Sequence, residues 1–189
     1  MYMKQLYSRY FPTPSYLSMN SCALDISDQS IKYGELVAHA SGLRLGRYGQ
    51  VKIPHGVIAS GVIAEEDALV KILKELASRE HLHFVRVSLP EEQMYLFTLS
   101  LSSIDKSQLW QTVLLSIEEH IPLKADNTVF DYTIISENDH AVVVEVIAVS
   151  IATIESYLSV FEKASLTPLS FELEAQALAR AVVPYGDPH

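Results

Sequence analysis

Three β-type segments, one helical segment and a fourth β-type segment follow one another in the first half of the chain. Their apolar residues alternate or run together in the strands and recur at helical spacing in the helix. Acidic residues stand where the first helical turn begins, and prolines follow the third and fourth strands. The segments are Cys22–Ile26, Ile31–Ala38, Leu43–Ile53, the helix around Ala68–Leu76, and the strand His81–Leu89. This order predicts a mixed sheet with a helix packed on it.

A second run of segments has the order strand, helix, strand, strand, helix. Pro122 ends its first helix, and Ser150 is a suitable N-cap for its second, in which Ile154, Leu158 and Phe161 are expected to face inward. The segments are Met94–Leu101, the helix Ile104–Ile121, Thr128–Ile135, Ala141–Val149, and a helix running to about Ser165. The pattern predicts a small split sheet with helices on one face.

A closing strand, Leu169–Leu173, and a last helix, Glu174–Val182, follow this second run. We therefore predict an α/β (α+β) fold in which residues 21–90 and 169–185 form one subdomain and residues 91–168 form an inserted subdomain. Residues 1–20 precede both and are rich in Tyr, Phe and Pro, which predicts an extended arm that packs on the module or on a partner.

Charge is distributed unevenly. Residues 1–89 carry 10 Lys and Arg against 8 Asp and Glu, whereas residues 90–189 carry 4 against 15. An acidic second half argues against binding to nucleic acid and against binding to an anionic membrane surface, and it suits a basic partner segment.

The longest apolar stretch, Ala141–Val149, is too short to span a bilayer, which takes about 20 residues. The single cysteine, Cys22, fits a reducing compartment and a buried position in a strand.

The segment from Leu24 to Lys32 is the best candidate for ligand chemistry. Asp25 ends a strand, the turn after it contains Ser27, Asp28 and Ser30, and Lys32 lies on the next strand. Backbone N–H groups of such a turn can hold a phosphate, and a carboxylate at a strand end can hold Mg²⁺ through water. Lys32 could reach phosphate oxygens. We interpret these residues as a nucleotide-phosphate and Mg²⁺ site or the remnant of one.

Several segments in this order resemble the type IV pilus assembly protein PilM family, which is related to the cell-division protein FtsA. The resemblance covers roughly residues 20–182. The matching segments are Ala23–Ile26 with Ser30–Lys32, Ile53–Ile58 with Gly61–Ile63, Ser88–Pro90, Ile117–Leu123, Asp131–Tyr132, Ala164–Pro168 and Phe171–Leu178.

The resemblance implies the first lobe of an actin-like, ribonuclease-H-like ATPase fold, with ATP and Mg²⁺ as ligands and Glu174 near the nucleotide cleft. It also implies a cytoplasmic scaffold at the inner-membrane platform of a type IV pilus or a related secretion machine. Such a scaffold binds the short cytoplasmic tail of a single-pass, PilN-like membrane protein in a groove between the subdomains. Tails beside a membrane span tend to be basic, which agrees with the acidic second half.

Two departures from the family pattern concern the nucleotide site. Ser27 stands where the family has a glycine, so a Cβ crowds the expected phosphate position, and Asp28 adds a negative charge. The sequence also ends at His189, where the resemblance leads us to expect the beginning of the family's second lobe. We therefore expect ATP and Mg²⁺ to bind only together with a second lobe, and we assign no catalytic residue.

Three other functions stay open at this stage. One is an FtsA-like filament former, which implies self-association, and another is an ATP-dependent phosphotransferase lobe, which needs the second lobe. The third, a ribonuclease-H-like nuclease, needs several carboxylates around two metal ions, and only Asp25 is well placed.

Two further features have structural interpretations. His81 and His83 are expected on one strand face without a third metal ligand, and Trp110 is expected in the core or at a subdomain interface.

Overall fold

The computed structural model describes residues 20–39, 42–102, 108–138 and 141–182. The predicted arm of residues 1–20 lies outside this part of the chain except for Asn20. The strands are β1 Ser21–Ile26, β2 Ser30–His39, β3 Gly42–Lys52, β4 Ile58–Ala59, β5 Val62–Ile63, β6 Phe84–Leu89, β7 Met94–Ser102, β8 Thr128–Glu137, β9 Ala141–Ser150 and β10 Thr167–Leu173. The helices are α1 Glu66–Glu80, α2 Leu109–His120, α3 Ile151–Lys163 and α4 Glu174–Val182.

The larger sheet has five strands in the order β10-β6-β1-β2-β3. β1, β6 and β10 run parallel, while β2 and β3 are antiparallel to their neighbours. Alternation decides which face is covered: Cys22, Leu24 and Ile26 of β1 are buried, whereas Ala23 is exposed. The buried side chains pack with those of α1 and α3 in one core. The opposite face carries Ala23 and its register partners, and among the described residues α4 covers only part of it; we call it the uncovered face.

The smaller sheet has three strands in the order β7-β9-β8, all antiparallel. Val142, Val144 and Val146 of the central strand are buried against Val113 and Ile117 of α2, in a second hydrophobic core. The chain leaves the larger sheet after β6 and rejoins it at β10. The segment that contains the smaller sheet is therefore inserted, in sequence, between two strands of the larger sheet that pair in parallel.

Most predicted elements are present in the described ranges, with the following differences; the first residues of the predicted helix Ile104–Ile121, up to 107, lie outside those ranges. His81 adopts a left-handed conformation (φ 53°) that ends α1, so the following strand begins at Phe84 and neither His81 nor His83 lies on it. Leu158, which was predicted to face inward, is 41% exposed, because α3 buries Tyr157 in its place; Phe161 is buried as predicted. Trp110 is 52% exposed, so it is not a core residue; its ring stacks on Phe130. The short strands β4 and β5 were not predicted.

Cys22 is buried, at 2% exposure, as predicted, and burial raises the pKa of its thiol. Within the described ranges, no helix combines the length and the hydropathy that a membrane span requires.

Candidate functional site

Register places the predicted ligand residues of β1 and β2 side by side on the uncovered face. One row across the sheet runs Gln50, Lys32, Asp25, Ser88 and Glu172. Cross-strand partners share a face, so Asp25 and Lys32 meet directly. The Lys32 Nζ donates to the Asp25 carboxylate at 2.8 Å, and this bond raises the pKa of Lys32. The pair is half exposed, so Lys32 is held by its neighbour but stays accessible to solvent.

The turn between β1 and β2 is closed by serine hydroxyls. The Ser27 backbone N–H and hydroxyl both donate to the Ser30 carbonyl, at 2.9 and 3.1 Å. Ser30 itself is 6% exposed, so its side chain supports the turn more than it faces a ligand. The Ser27 hydroxyl is thus committed to the turn, although its Cβ still occupies the place where the family pattern has glycine.

Asp28 has a structural partner that the sequence did not reveal. Its two carboxylate oxygens accept the backbone N–H groups of Ser60 (2.7 Å) and Gly61 (3.0 Å), in the turn between β4 and β5. Both of those residues have positive φ, 49° and 74°. A carboxylate that accepts two N–H groups holds such a turn in place. Asp28 therefore holds a second loop in place.

The β4–β5 turn also contacts the two segments that connect the larger and smaller sheets, the one before β7 and the helix α3. The buried Tyr157 hydroxyl donates to the Gly61 carbonyl at 3.0 Å, and Gln93 Nε2 donates to the Ser60 carbonyl at 2.9 Å. A Cβ on Gly61 would lie 2.8 Å from the Gln93 side chain, so glycine is needed for packing as well as for its φ. The β4–β5 turn thus joins the candidate site to the start of β7 and to α3.

A cleft of about 690 Å³ adjoins the β1–β2 turn. Its wall includes Ser27, Asp28, Gln29, Ser30, Gln50, Lys52, His55, Glu92 and Glu174. Three of these side chains are carboxylic and one is a lysine, which is an unfavourable balance for a triphosphate. The residues of this cleft therefore do not fit MgATP by themselves, although they offer oxygen ligands of the kind that Mg²⁺ prefers.

Glu174 borders this cleft and also a second cavity, of about 480 Å³, on the uncovered face. The six predicted site residues thus fall into two groups joined by Glu174. Ser27, Asp28 and Ser30 line the cleft, whereas Asp25 and Lys32 line the cavity.

The sequence patterns did not indicate four residues that shape this site, which are Ser60, Gly61, Gln93 and Tyr157. A Ser-Gly pair between apolar residues is a turn signal, which would have located the β4–β5 turn. No local sequence pattern indicates a role for Tyr157, because its hydrogen-bond partner Gly61 lies 96 residues away. In the described ranges, no group of three or more His, Cys, Asp and Glu side chains is arranged to hold a metal ion.

Comparison with known proteins gives the family and the fold. A sequence model described as "Type IV pilus assembly protein PilM" matches residues 23–186. A solved structure, the "PilM-PilN type IV pilus biogenesis complex", is 20% identical with a TM-score of 0.76 and covers 86% of this chain. The cytoplasmic domain of EpsL, an inner membrane component of the type II secretion system of Vibrio cholerae, is 16% identical with a TM-score of 0.54 over 79% of this chain. No curated protein sequence matched the chain.

The chain covers 49% of the solved PilM-PilN chain and 56% of the EpsL chain, so it spans about half the length of these relatives. The fold prediction, one lobe of an actin-like fold, is confirmed by these two matches. The resemblance drawn from the sequence is likewise confirmed, because the matching sequence model covers most of the chain. The chain belongs to the type IV pilus assembly protein PilM family.

Proposed function

We propose that the chain is a cytoplasmic scaffold of a type IV pilus inner-membrane platform, and that it binds the basic cytoplasmic tail of a PilN-like membrane protein. Family membership supports a role in pilus assembly, and the solved relative is a complex with PilN. The observation that carries the tail-binding proposal is an acidic, partly apolar sheet face beside α4.

This face belongs to the three-stranded sheet and lies opposite α2; we call it the outer face. Register places Leu96, Ile147 and Asp131 in one row across it. The next row contains Glu145, which lies between Thr98 and Thr133. Leu96 is 49% exposed, so apolar surface is available next to the two carboxylates.

The outer face is bordered by α4. Gln176 Nε2 donates to the Glu145 carboxylate at 3.2 Å, which connects the last helix to the centre of the smaller sheet. A tail lying along this border would place apolar side chains on Leu96 and Ile147 and basic side chains near Asp131 and Glu145. Ordering a short peptide costs about 2–5 kcal/mol of the gross contact energy, so we expect micromolar affinity or weaker.

We further propose that nucleotide binding depends on a second lobe, as longer relatives would provide. The carboxylates of the cleft at the β1–β2 turn support this, because they repel phosphate groups unless other cations offset them. The scaffold role requires no catalysis by this lobe. Its site residues would then serve mainly to keep the β1–β2 and β4–β5 turns together.

Fluorescence anisotropy tests the outer face, with a labelled peptide that has the basic, partly apolar composition of a membrane-flanking cytoplasmic tail. Asp131→Asn and Glu145→Gln should each weaken binding by about three- to tenfold, because each removes one charge next to the peptide. The matched control is Glu119→Gln, on the exposed side of α2. Equal losses in all three variants would point to general charge attraction and contradict an outer-face site.

A further inference from the structure

Strand β8 lies at one edge of the smaller sheet, and among the described residues only β9 pairs with it. The Tyr132 N–H donates to the Asp131 carboxylate at 2.8 Å and therefore points away from β9. Residues two apart in an antiparallel strand direct their backbone polar groups to the same side. Phe130, Tyr132 and Ile134 thus present N–H and carbonyl groups on the side of β8 away from β9, which we call the free edge.

The side chains of the residues at the free edge lie on the face of the smaller sheet that packs against α2. Tyr132 pairs with Val146, and Phe130 pairs with Ala148, and both partners are fully buried in the core beneath α2. Residues directly opposite each other in neighbouring strands share a face. A residue added opposite Tyr132 in an antiparallel strand would therefore turn its side chain toward α2.

Trp110 of α2 provides an aromatic surface at this position. Its ring stacks on Phe130, with ring centres 4.2 Å apart, and its centre lies 6.5 Å from that of Tyr132. Trp110 is nevertheless 52% exposed. The face of an indole ring attracts a guanidinium group, and a half-exposed tryptophan keeps surface for such a contact. An arginine side chain on an added strand would find this surface next to the edge.

The surroundings of β8 are acidic. Residues 108–138, which contain α2 and β8, carry five carboxylates and one lysine. The carboxylates are all exposed and belong to Glu118, Glu119, Asp126, Asp131 and Glu137. This balance attracts a basic segment and repels an acidic one. Arginine suits both features, because its planar guanidinium stacks on aromatic rings and pairs with carboxylates.

The free edge is protected against pairing with a second β8 strand. Edge strands are commonly blocked by charges and bulges, and β8 has the Asp131 carboxylate at its edge and a bulge between Ile134 and Ser136. Two such acidic strands side by side would bring like charges together. A basic strand meets no such repulsion, and its carbonyl can take the Tyr132 N–H in place of Asp131. The exposed apolar side chains of Val129 (47%) and Ile134 (38%) add contact area.

We propose that the free edge of β8 binds an extended, arginine-rich segment of a partner protein, which adds to the smaller sheet as a fourth, antiparallel strand. Its backbone pairs with Phe130–Ile134, and an arginine opposite Tyr132 stacks on Trp110. Five residues form a short pairing, so the affinity is micromolar or weaker. The free edge and the outer face are different surfaces of the sheet, so this site does not depend on the proposed binding of a tail to the outer face.

Backbone N-methylation of a peptide tests strand addition. The probe is a labelled ten-residue peptide in which arginine and threonine alternate, titrated with the full chain by fluorescence anisotropy. Two further versions are N-methylated either at the arginines or at the threonines, so they have equal charge. Methylation at the arginines removes the donors that face β8 and should weaken binding by about tenfold or more, whereas methylation at the threonines should have little effect.

Several results of this titration would overturn the proposal. One is that the unmethylated peptide does not bind, and another is that both methylated versions lose affinity equally or that neither does. A loss confined to the threonine-methylated version would place the arginines on the face away from Trp110, which contradicts the proposed stacking.

Variants of the protein test the position of the site. Trp110→Ala should weaken binding of the unmethylated peptide by about five- to tenfold, and Trp110→Phe should weaken it less. Leu115→Ala is the matched control, since Leu115 is 73% exposed on the same helix. Melting curves followed by circular dichroism identify any variant that fails to fold.

Hydrogen exchange of the wild-type chain provides a measurement that needs no substitution. Saturating peptide should slow exchange of the Tyr132 amide, because that N–H becomes bonded to the added strand. Binding that leaves this amide unchanged would place the peptide elsewhere, for example on the outer face, and would overturn the proposal. Equal losses in Trp110→Ala and Leu115→Ala would overturn it as well.

Discussion

The buried hydroxyl of Tyr157 donates a hydrogen bond of 3.0 Å to the carbonyl of Gly61, 96 residues earlier in the chain. Gly61 in turn donates its N–H to Asp28, in the turn that resembles a phosphate-binding motif. Three segments distant in sequence thus meet at one two-residue turn. The helix that returns the chain to the larger sheet is fixed against the candidate site by this contact.

Tyr157→Phe removes the hydroxyl and leaves the Gly61 carbonyl buried without that donor. We expect a loss of about 1–2 kcal/mol in the free energy of unfolding, measured by urea denaturation. Burial raises the pKa of Tyr157, so its stabilising effect is complete below the ordinary tyrosine pKa of about 10 and declines as the pH rises above it. The free energy of unfolding of Tyr157→Phe should not show this decline at alkaline pH. Tyr48→Phe, at an exposed position, is the control, and an equal effect there would contradict the role of Tyr157.

Asp28→Ala should destabilise the protein by about 1–3 kcal/mol, because the N–H groups of Ser60 and Gly61 lose a charged acceptor. Asp28→Asn keeps one acceptor oxygen and should cost less. Hydrogen exchange provides the direct measurement: both amides should exchange faster in Asp28→Ala. Unchanged protection of these two amides would show that the clamp is unimportant in solution.

Ser150 caps α3, since its hydroxyl accepts the Thr153 N–H at 3.0 Å. Ser150→Ala should lower the free energy of unfolding by about 1 kcal/mol. Ser156→Ala, at an exposed position within the same helix, should have a smaller effect. Comparable losses in the two variants would argue against a capping role.

The exposed Glu66 carboxylate accepts hydrogen bonds from Lys163 Nζ (2.8 Å) and the Ser159 hydroxyl (2.9 Å), which connect α1 to α3. These bonds lower the pKa of Glu66. A lowered pKa means that the stabilisation is present above the unfolded-state value, about 4.3, and is lost as the pH falls through the folded-state value. Glu66→Gln should therefore lose less stability than the wild type on acidification. In a double-mutant cycle with Lys163→Met, the coupling should shrink at high salt. A coupling that is independent of both pH and salt would contradict this explanation.

The elements of the fold were predictable because their signals are local. Pro54, Pro90 and Pro122 mark boundaries, and alternation in β1 gives the buried residues Cys22, Leu24 and Ile26. The helical phase of α3 was partly wrong, since Leu158 and Tyr157 are both apolar enough to be buried. Tyr157 takes the inner position because its hydroxyl finds an acceptor in Gly61, which no local pattern contains.

The parts of the candidate site that could be predicted are those whose residues are close together in the sequence. Asp25 and Lys32 were both predicted as site residues, and strand-turn-strand register pairs them in the structure. The clamp formed by Asp28 depends on a turn 32 residues away and could not be read from spacing. The same holds for His81, whose left-handed conformation ends α1 instead of beginning a strand.

We propose that this chain binds a basic partner tail and that this binding does not need nucleotide. Calorimetric titration with a basic, membrane-flanking tail peptide at two salt concentrations, and separately with MgATP, tests it most directly. We expect peptide binding that weakens as salt is raised, and little or no heat from MgATP. Tight MgATP binding by this chain alone, or peptide binding that is absent or insensitive to salt, would contradict it.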